Sequence, residues 1–283
     1  MRNITRDNIT QAVIGSFGGA ESERLRFVLS RLITHLHDFA REVELTPEEW
    51  KAGIDFLCRA GKISDDARNE FILASDILGL SSLVDLLQGA AGATERSNLG
   101  PFHAEGSPAL PVGGDLIRSN DGEPVLVRGR VLDQAGAPIL GAQLDFWQAA
   151  ANGLYWQQDP QQPRYNLYGT LRADAQGRYA FTTIRPAPYN VPYDGPVGDL
   201  LRAGGRHAWR PAHFHFIVAA DGYRPLTTEL YFDDDRYLDA DAVFGVRESL
   251  VLALGNGDAE DGRPYGLKPP FRVAQFDFRL DAE

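Results

Sequence analysis

Two histidines placed two residues apart are the first feature that points to chemistry. They lie in the segment RPAHFHFIV, residues 210–218. Side chains alternate between the two faces of a β-strand, so a strand here puts His213 and His215 on one face. Its other face then carries apolar side chains that bury. Neutral imidazole is the commonest metal ligand, so the pair predicts half of a metal site; the alternative is two core histidines with hydrogen-bonded nitrogens.

Composition describes an ordinary globular chain and excludes some partners. The 283 residues are 43% hydrophobic and 24% charged, which predicts one domain plus an accessory segment. A net charge of -11 argues against nucleic acid or an anionic membrane surface as the main partner. The single cysteine, Cys58, and a start without the pattern of a signal peptide predict a cytoplasmic protein with no disulfide. No apolar run approaches the roughly 20 residues that span a bilayer.

The first third of the chain is predicted to be helical. Apolar residues recur with the 3.6-residue period over residues 21–41. Thr46 and Glu49 form the capping box of a second helix, for which Gly61 is the expected C-cap. The buried stripe expected of that helix is Trp50, Ile54, Leu57 and Cys58.

Two shorter helices complete this front segment, over residues 65–77 and 81–87. The composition predicts a domain boundary after residue 97, which makes residues 1–97 an all-helical segment. Its helices carry more apolar surface than one packing face requires, so we expect them to pack against the main domain or a second subunit.

Residues 98–283 have the sequence pattern of β-strands. Apolar and polar residues alternate in short runs that glycine-bearing turns separate, which predicts a mainly β fold, an antiparallel β-sandwich. Residues 170–173 and 178–184 are expected to form a hairpin, and residues 226–232 to return antiparallel to the histidine strand. The other predicted strands are 125–132, 142–148 and 272–280.

Two long loops, residues 149–168 and 186–206, are rich in tyrosine and proline, and loops of this length in a compact domain are usually functional. Phenolate is an anionic oxygen donor that suits a hard, high-valent metal, and direct bonding to a trivalent cation lowers the tyrosine pKa. Two tyrosinates and two imidazoles leave ferric iron with one positive charge and an open position. Spacing does not choose among the ten tyrosines, and each taken singly fits a rim or core residue with a hydrogen-bonded hydroxyl.

The motifs together resemble the intradiol ring-cleaving dioxygenases. These motifs are RPAHFHF from residue 210, PYNVP at residues 188–192 and GLY at residues 153–155, and the resemblance extends over nearly the whole chain. It implies one non-haem ferric iron, Fe(3+), per subunit. The ligands that it implies are Tyr155, Tyr189, His213 and His215. Tyr193 matches a non-ligand position, and Arg210 matches a position whose guanidinium points at the bound diol.

Within that family the chain is most similar to the hydroxyquinol 1,2-dioxygenases. The motifs are DGPVG from residue 194, DAVFGV from residue 241 and LGPF from residue 99. The substrate pocket that the resemblance implies consists of Leu73, Asp76, Gly100, Pro101, Phe102, Val191, Pro192, Arg210, Glu229 and Val243. Asp76 has two interpretations, an acceptor for a third ring hydroxyl or a solvated helix carboxylate. Glu229 departs from the family pattern, which more often has Gln or His there.

The resemblance implies an enzyme that inserts both atoms of O2 into a catecholic ring. The diol would displace Tyr189, which takes a proton as it leaves, and hydroxyquinol would yield hydroxymuconate, the enol of maleylacetate. Catechol and chlorocatechol are the alternative substrates. Two other classes are considered: an extradiol dioxygenase with ferrous iron on two histidines and Glu229, and a non-enzymatic sandwich module. The front helices are expected to form a homodimer, and a lipid between them is left open.

Overall fold

The computed structural model describes residues 3–65, 68–118 and 120–283, and the chain divides into two compact units. The first unit ends at Cys58 and the second runs Arg59–Glu283. Two helices that the sequence assigns to the front segment fall in the second unit, and the predicted boundary after residue 97 stays a prediction. None of the helices in the described ranges combines the length and apolarity that crossing a bilayer requires.

The first unit is helical. It contains α1 (Ile9–Ser16), which the sequence did not predict, α2 (Glu23–Glu42) and most of α3 (Pro47–Ile63). The predicted capping box is confirmed, since the Thr46 amide donates to Glu49 Oε2 at 2.9 Å and the Glu49 amide to Thr46 Oγ1 at 3.2 Å. Gly61 is not a C-cap, because the helix continues to Ile63.

The apolar stripes of these helices are exposed, so the prediction of a buried stripe on α3 is wrong for the single chain. Trp50, Ile54 and Leu57 are exposed by 59%, 40% and 49%, and α2 has no buried residue. α1 is held to α2 by polar contacts at Thr10, whose hydroxyl lies 3.0 Å from His37 Nδ1. The helices therefore present unpartnered apolar faces.

Two helices of the second unit lie outside the sheets. α4 is Glu70–Ile77 and α5 is Leu80–Leu87. α4 begins later than predicted because the Asn69 side chain caps it, accepting from the Phe71 and Ile72 amides at 3.1 Å. The predicted helix started at residue 65, and Asp66 and Ala67 of that additional turn lie outside the described residues. The fully buried Glu70 accepts from the Val197 amide at 3.0 Å, which ties α4 to the start of α6 (Pro196–Ala203).

The strands form two packed sheets. The five-stranded sheet has the order β10 (Val251–Leu252), β9 (Leu226–Phe232), β8 (His213–Ala219), β3 (Gln143–Trp147), β4 (Tyr168–Arg172). The six-stranded sheet has the order β1 (Gly114–Asp115), β5 (Arg178–Ile184), β2 (Pro124–Asp133), β12 (Arg272–Gln275), β11 (Gly255–Asn256), with β13 (Phe278–Leu280) also on β2. β6 (Tyr189–Asn190) and β7 (Trp209–Arg210) pair with each other as a separate two-stranded ribbon. The short helix α7 is Ala259–Gly262.

The main core lies between the two sheets, and aromatic pairs join them. Phe146 of β3 contacts Phe181 of β5 with ring centroids 4.5 Å apart, and Phe216 of β8 contacts Phe278 of β13 at 4.9 Å. β8 is antiparallel to both β3 and β9, while β12 and β13 run parallel to β2. The predicted antiparallel sandwich is confirmed, with parallel pairs added, among them the two on β2 in the middle of the six-stranded sheet.

The predicted hairpin over residues 170–184 is wrong. β4 pairs with β3 and β5 pairs with β2, so the intervening turn crosses from one sheet to the other. The turn itself forms as expected, since the Gly177 amide donates to the Asp174 carbonyl at 3.0 Å. A turn sequence specifies local geometry, whereas the partner of each strand depends on which face of the core it covers.

The histidine strand is shorter than predicted. β8 begins at His213, and Arg210 belongs to β7, which pairs with β6. Pro211 separates the two strands because proline has no amide hydrogen to donate to a ladder. The break places Arg210 opposite Tyr189 in the register, which brings the second tyrosine loop to the histidines.

Candidate metal centre

Both histidines lie on the central strand of the five-stranded sheet. In register, His213 faces Tyr231 of β9, while His215 faces Glu229 of β9 and Trp147 of β3. Their Nε2 atoms are 3.0 Å apart. Two nitrogens bound at right angles to one metal ion at about 2.1 Å lie about 3 Å apart. The strand therefore preforms two adjacent ligand positions.

The neighbours of each imidazole orient its Nε2 lone pair. His213 Nδ1 lies 2.7 Å from the Pro211 carbonyl, so Nδ1 carries the hydrogen and Nε2 faces the site. The His215 ring stacks on Trp147 with centroids 4.7 Å apart and planes 5° apart. Burial and the charge of Arg210 lower the pKa of His213 to about 4, and burial lowers the pKa of His215 well below its usual value. Both rings are therefore neutral, as metal ligands must be.

The two tyrosine loops bring a phenol each to the same point. Tyr155 is fully buried, its hydroxyl lies 3.1 Å from His215 Nε2, and its ring stacks on Phe102 at 4.4 Å. The ring of Tyr189 lies 5.5 Å from those of both Tyr155 and His213. Gly153 allows this approach, since it has φ +79° and a Cβ there would lie 3.3 Å from Tyr189 Cβ.

The electrostatics of these phenols fit a trivalent cation. Burial raises the pKa of Tyr155 well above its usual value and raises that of Tyr189 as well, although nearby Arg210 opposes the second shift. Two phenols ionise in such a place only when a strong positive charge binds to them. Two phenolate oxygens and two imidazole nitrogens are a donor set for ferric iron, so the residues present fit the metal that the resemblance implies.

Tyr193 lies outside this group of rings. It is partly exposed, and the Arg202 guanidinium covers its ring at 4.5 Å. It has the surroundings of a structural tyrosine, in agreement with its predicted non-ligand role.

Arg210 lies directly behind the histidines, where two carboxylates hold it. The side chain is buried, its Nη1 donates to Glu229 Oε1 at 2.7 Å, and its Nε donates to Asp241 Oδ1 at 3.0 Å. A third contact joins Nη1 to His213 Nε2 at 3.2 Å. The guanidinium thus lies beside His213 with its charge compensated by the two carboxylates.

Glu229 lies near both histidines, but its oxygens are occupied. A carboxylate oxygen of Glu229 and one nitrogen from each histidine lie within 4.8 Å of one another, the arrangement that the extradiol alternative requires. Both oxygens accept from Arg210, and Oε2 also accepts from Ser97 at 2.7 Å and from Tyr231 at 2.5 Å. Burial would raise the pKa of Glu229, yet the charge and hydrogen bonds of Arg210 hold it far below its usual range. Breaking such a buried pair costs about 3–5 kcal/mol, which disfavours Glu229 as a metal ligand.

A cavity of about 310 Å³ contains part of the predicted substrate pocket. The pocket residues that line it are Leu73, Pro101, Phe102 and Pro192. Gly100 does not line the cavity but lies against His215, since with φ +70° a Cβ there would lie 3.2 Å from His215 Cε1. Val191 and Val243 are buried and do not line the cavity.

Asp76 is buried, so its interpretation as a solvated helix carboxylate is wrong. It is 4% exposed on α4. Burial raises its pKa to about 6, against the Ser81 hydroxyl and Arg210, which lower it. A buried carboxylate with one hydroxyl partner can still accept a further hydrogen bond.

Sequence reasoning missed four residues of the site: Ser97, Trp147, Tyr231 and Asp241. Tyr231 could have been found, because it shares a strand face with Glu229 by the period of two. Ser97 and Asp241 lie in loops, where no periodicity indicates their direction.

The comparisons with known proteins agree with this geometry. Residues 107–282 match the family model described as Dioxygenase, and residues 22–95 match the model described as Catechol dioxygenase N terminus. The chain is 46% identical to the 6-chlorohydroxyquinol 1,2-dioxygenase of Cupriavidus pinatubonensis over 89% of this chain and 92% of that protein. It is 44% identical to the hydroxyquinol 1,2-dioxygenase of a Rhizobium species, over 88% of this chain and 85% of that protein.

A solved structure extends the likeness to the whole fold. The crystal structure of hydroxyquinol 1,2-dioxygenase from Pseudomonas putida has a TM-score of 0.89 at 46% identity, covering 98% of this chain and 99% of that one. These findings confirm the predicted family and its enzymatic class, and they exclude the extradiol and non-enzymatic alternatives. This chain belongs to the intradiol ring-cleavage dioxygenase family.

Proposed function

We propose that the chain uses one ferric iron per subunit to cleave hydroxyquinol between its two adjacent hydroxyls. The observation that carries this proposal is the convergence of two imidazoles and two phenols beside a cavity. The ligands are Tyr155, Tyr189, His213 and His215. Bound iron would supply Lewis-acid activation of the diol ring towards O2. Both oxygen atoms then enter the ring-opened dicarboxylate.

The protein's own groups would bind the diol and move its protons. Tyr189 is the ligand that the resemblance assigns to leave, whereas the Tyr155 ring is held by stacking on Phe102. Its oxygen can take a proton from a diol hydroxyl as it leaves. Arg210 Nη1 is placed to stabilise negative charge that develops on the ring, as a preorganised donor away from bulk water.

Ligand assignment can be tested by colour. Tyr155→Phe and Tyr189→Phe should each weaken the visible charge-transfer band of the iron-loaded protein, because each removes a phenolate donor. Tyr193→Phe is the matched control and should keep the band, since its ring lies under Arg202. A Tyr193→Phe protein that loses the band while Tyr189→Phe retains it would show that the ligand is wrongly assigned.

The preference for hydroxyquinol over catechol would come from Asp76. A charged acceptor contributes about 1.5–3 kcal/mol to binding a hydroxyl, or roughly ten- to a hundredfold. Asp76→Ala should therefore lower kcat/KM for hydroxyquinol by that factor and leave catechol little changed. Identification of the products for both substrates tests the reaction itself, and an unchanged hydroxyquinol-to-catechol ratio would remove Asp76 from the pocket.

The same carboxyl predicts a pH dependence of substrate choice. With its pKa raised to about 6, Asp76 is ionised at pH 7.5 and protonated at pH 5. The hydroxyquinol-to-catechol ratio of kcat/KM should therefore fall as the pH falls through 6, while the ratio of an Asp76→Asn variant should stay flat. Taking the ratio cancels ionisations that affect both substrates equally.

We also propose a homodimer formed through the apolar faces of α2 and α3, in a cytoplasmic protein, with the presence of a lipid left open. Apolar side chains of α2, among them Leu32 at 51% and Leu36 at 56% exposure, need a partner surface. Light scattering at micromolar concentration should give twice the 31.2 kDa chain mass. A double variant, Leu32→Glu with Leu36→Glu, should give the single mass with the visible band unchanged, and a monomeric wild-type protein would contradict the proposal.

A further inference from the structure

Asp241 holds the second edge of the Arg210 guanidinium. It follows a short 3-10 helix, Leu238–Ala240, and is 7% exposed. Its Oδ1 accepts from Arg210 Nε at 3.0 Å and its Oδ2 from Arg210 Nη2 at 3.2 Å. Glu229 binds the other edge, at Nη1 and Nη2. With both edges bound, the guanidinium plane is held in one orientation relative to the two carboxylates.

The five N–H groups of Arg210 can be assigned to partners. Nε–H binds Asp241, and Nη2 is shared among Glu229, Asp241 and the Tyr231 hydroxyl at 3.0 Å. One Nη1–H binds Glu229, and the other points to His213 Nε2. If a metal takes the His213 lone pair, this last N–H loses its acceptor. The Tyr189 hydroxyl is also a hydrogen-bond partner of Arg210, so this N–H is not committed to another residue once Tyr189 leaves as proposed.

The carboxylate of Asp241 also fixes the loop that follows it. Oδ1 accepts from the Val243 amide at 3.3 Å, and Oδ2 accepts from the Gly245 amide at 2.8 Å. Gly245 packs against the guanidinium itself, since a Cβ there would lie 2.7 Å from Arg210 Nη2 and 2.5 Å from the Tyr231 hydroxyl. One side chain thus binds both Arg210 and the loop that carries Val243, a proposed pocket residue.

We infer that Asp241 is a positioning residue for the reaction. It aims the uncommitted Arg210 Nη1–H at the bound ring, and it holds the loop that carries Val243 in place beside Arg210. The inference rests on the proposed function, because it assigns Arg210 to the developing charge. The Asp241 carboxylate accepts from Arg210 and from the Val243 and Gly245 amides, and not from any of the four proposed iron ligands. Its effect passes through Arg210.

Asp241→Asn is the direct test. The amide retains one acceptor, but in either orientation its NH2 group faces one Arg210 N–H and one backbone amide: Nε and Val243 at the Oδ1 position, or Nη2 and Gly245 at the Oδ2 position. Donor therefore faces donor. A donor that is misdirected by about 1 Å costs on the order of a hundredfold in rate. We therefore expect kcat to fall about ten- to a hundredfold, with the KM changed by less than about threefold and the iron content and visible band retained.

Asp174→Asn is the matched control. Asp174 makes the same kinds of bond far from the site, accepting from Arg178 Nε at 2.8 Å and from the Gln176 and Arg178 amides at 2.8 Å. It should keep the wild-type kcat. Gly245→Ala is a second probe, because its new Cβ would lie 2.7 Å from Arg210 Nη2 and 2.5 Å from the Tyr231 hydroxyl, so the guanidinium must shift while residue 241 keeps its carboxylate. It should lower kcat with the iron retained, and a wild-type kcat in this variant would overturn the inference even if Asp241→Asn does not fold, because the aim of Arg210 would then not matter.

Hydrogen exchange of the metal-free protein provides a readout independent of activity. In Asp241→Asn the amide that loses its acceptor, that of Gly245 or of Val243, should exchange faster than in wild type, while amides of β8 should be unchanged. Faster exchange with a wild-type kcat would overturn the inference, because Asp241 would then only fasten the loop. A parallel loss of band, iron and kcat would also overturn it, since that is the result of a general folding defect. A wild-type protein that cleaves neither hydroxyquinol nor catechol would instead refute the proposed function, and the inference with it.

Discussion

His213→Ala and His215→Ala should each give a folded protein that retains little iron and has no measurable ring-cleaving activity. Each change removes one of two imidazoles whose Nε2 atoms lie 3.0 Å apart. Loss of a residue that only supports a ligand lowers metal affinity about 10- to 100-fold, so loss of a ligand should cost more. The fold should persist because Phe214 and Phe216, on the opposite face of β8, keep their places in the core.

His103→Ala is the matched control for these two variants. His103 is half-buried near the same aromatic cluster, with its ring 4.8 Å from Trp147, but it contacts neither phenol. Metal analysis should find near wild-type iron in this control, and circular dichroism should show all three variants folded. Full iron in His213→Ala or His215→Ala would return that histidine to the alternative of a hydrogen-bonded core residue.

Arg210→Met should be the most destabilising substitution at the site in the metal-free protein. It leaves Glu229 and Asp241 as buried carboxylates without their cation, and an unpaired buried charge costs about 3–5 kcal/mol. Urea unfolding of the metal-free protein measures this loss directly. Arg185→Met is the control, because its partner Asp234 is 54% exposed and a pair near the surface contributes about 0.2–1 kcal/mol.

A triple variant separates charge from packing. Arg210→Met combined with Glu229→Gln and Asp241→Asn removes the whole ion cluster, and neutral replacements of a buried ion network can restore much of the stability. We expect the triple variant to unfold at higher urea than Arg210→Met alone. Equal midpoints would show that the loss comes from the shape of the side chain and that the charges are not what couples these residues.

The sequence alone was sufficient to predict the half of the site that a single strand carries. Alternation along β8 puts both histidines on one face and the phenylalanines in the core, and this is a local property with a period of two. The helices were also predictable where caps and periodicity agree, as at Thr46 and Glu49. The tyrosines were chosen by resemblance to a family and not by spacing, because nothing in the spacing distinguishes two ligands among the ten tyrosines of the chain.

Tertiary structure decided which distant residues meet. Segments that are far apart in the chain meet when Arg210 pairs with Tyr189 and when Glu229 and Asp241 bind the Arg210 guanidinium. The burial of Asp76 likewise depends on the whole fold. It also corrected the hairpin at residues 170–184, whose strands enter different sheets. Periodicity and turn chemistry act over a few residues, whereas strand partners and the burial of a charge depend on how the whole core packs. For that reason the strand face that carries both histidines could be predicted from the chain, and the charges that surround it could not.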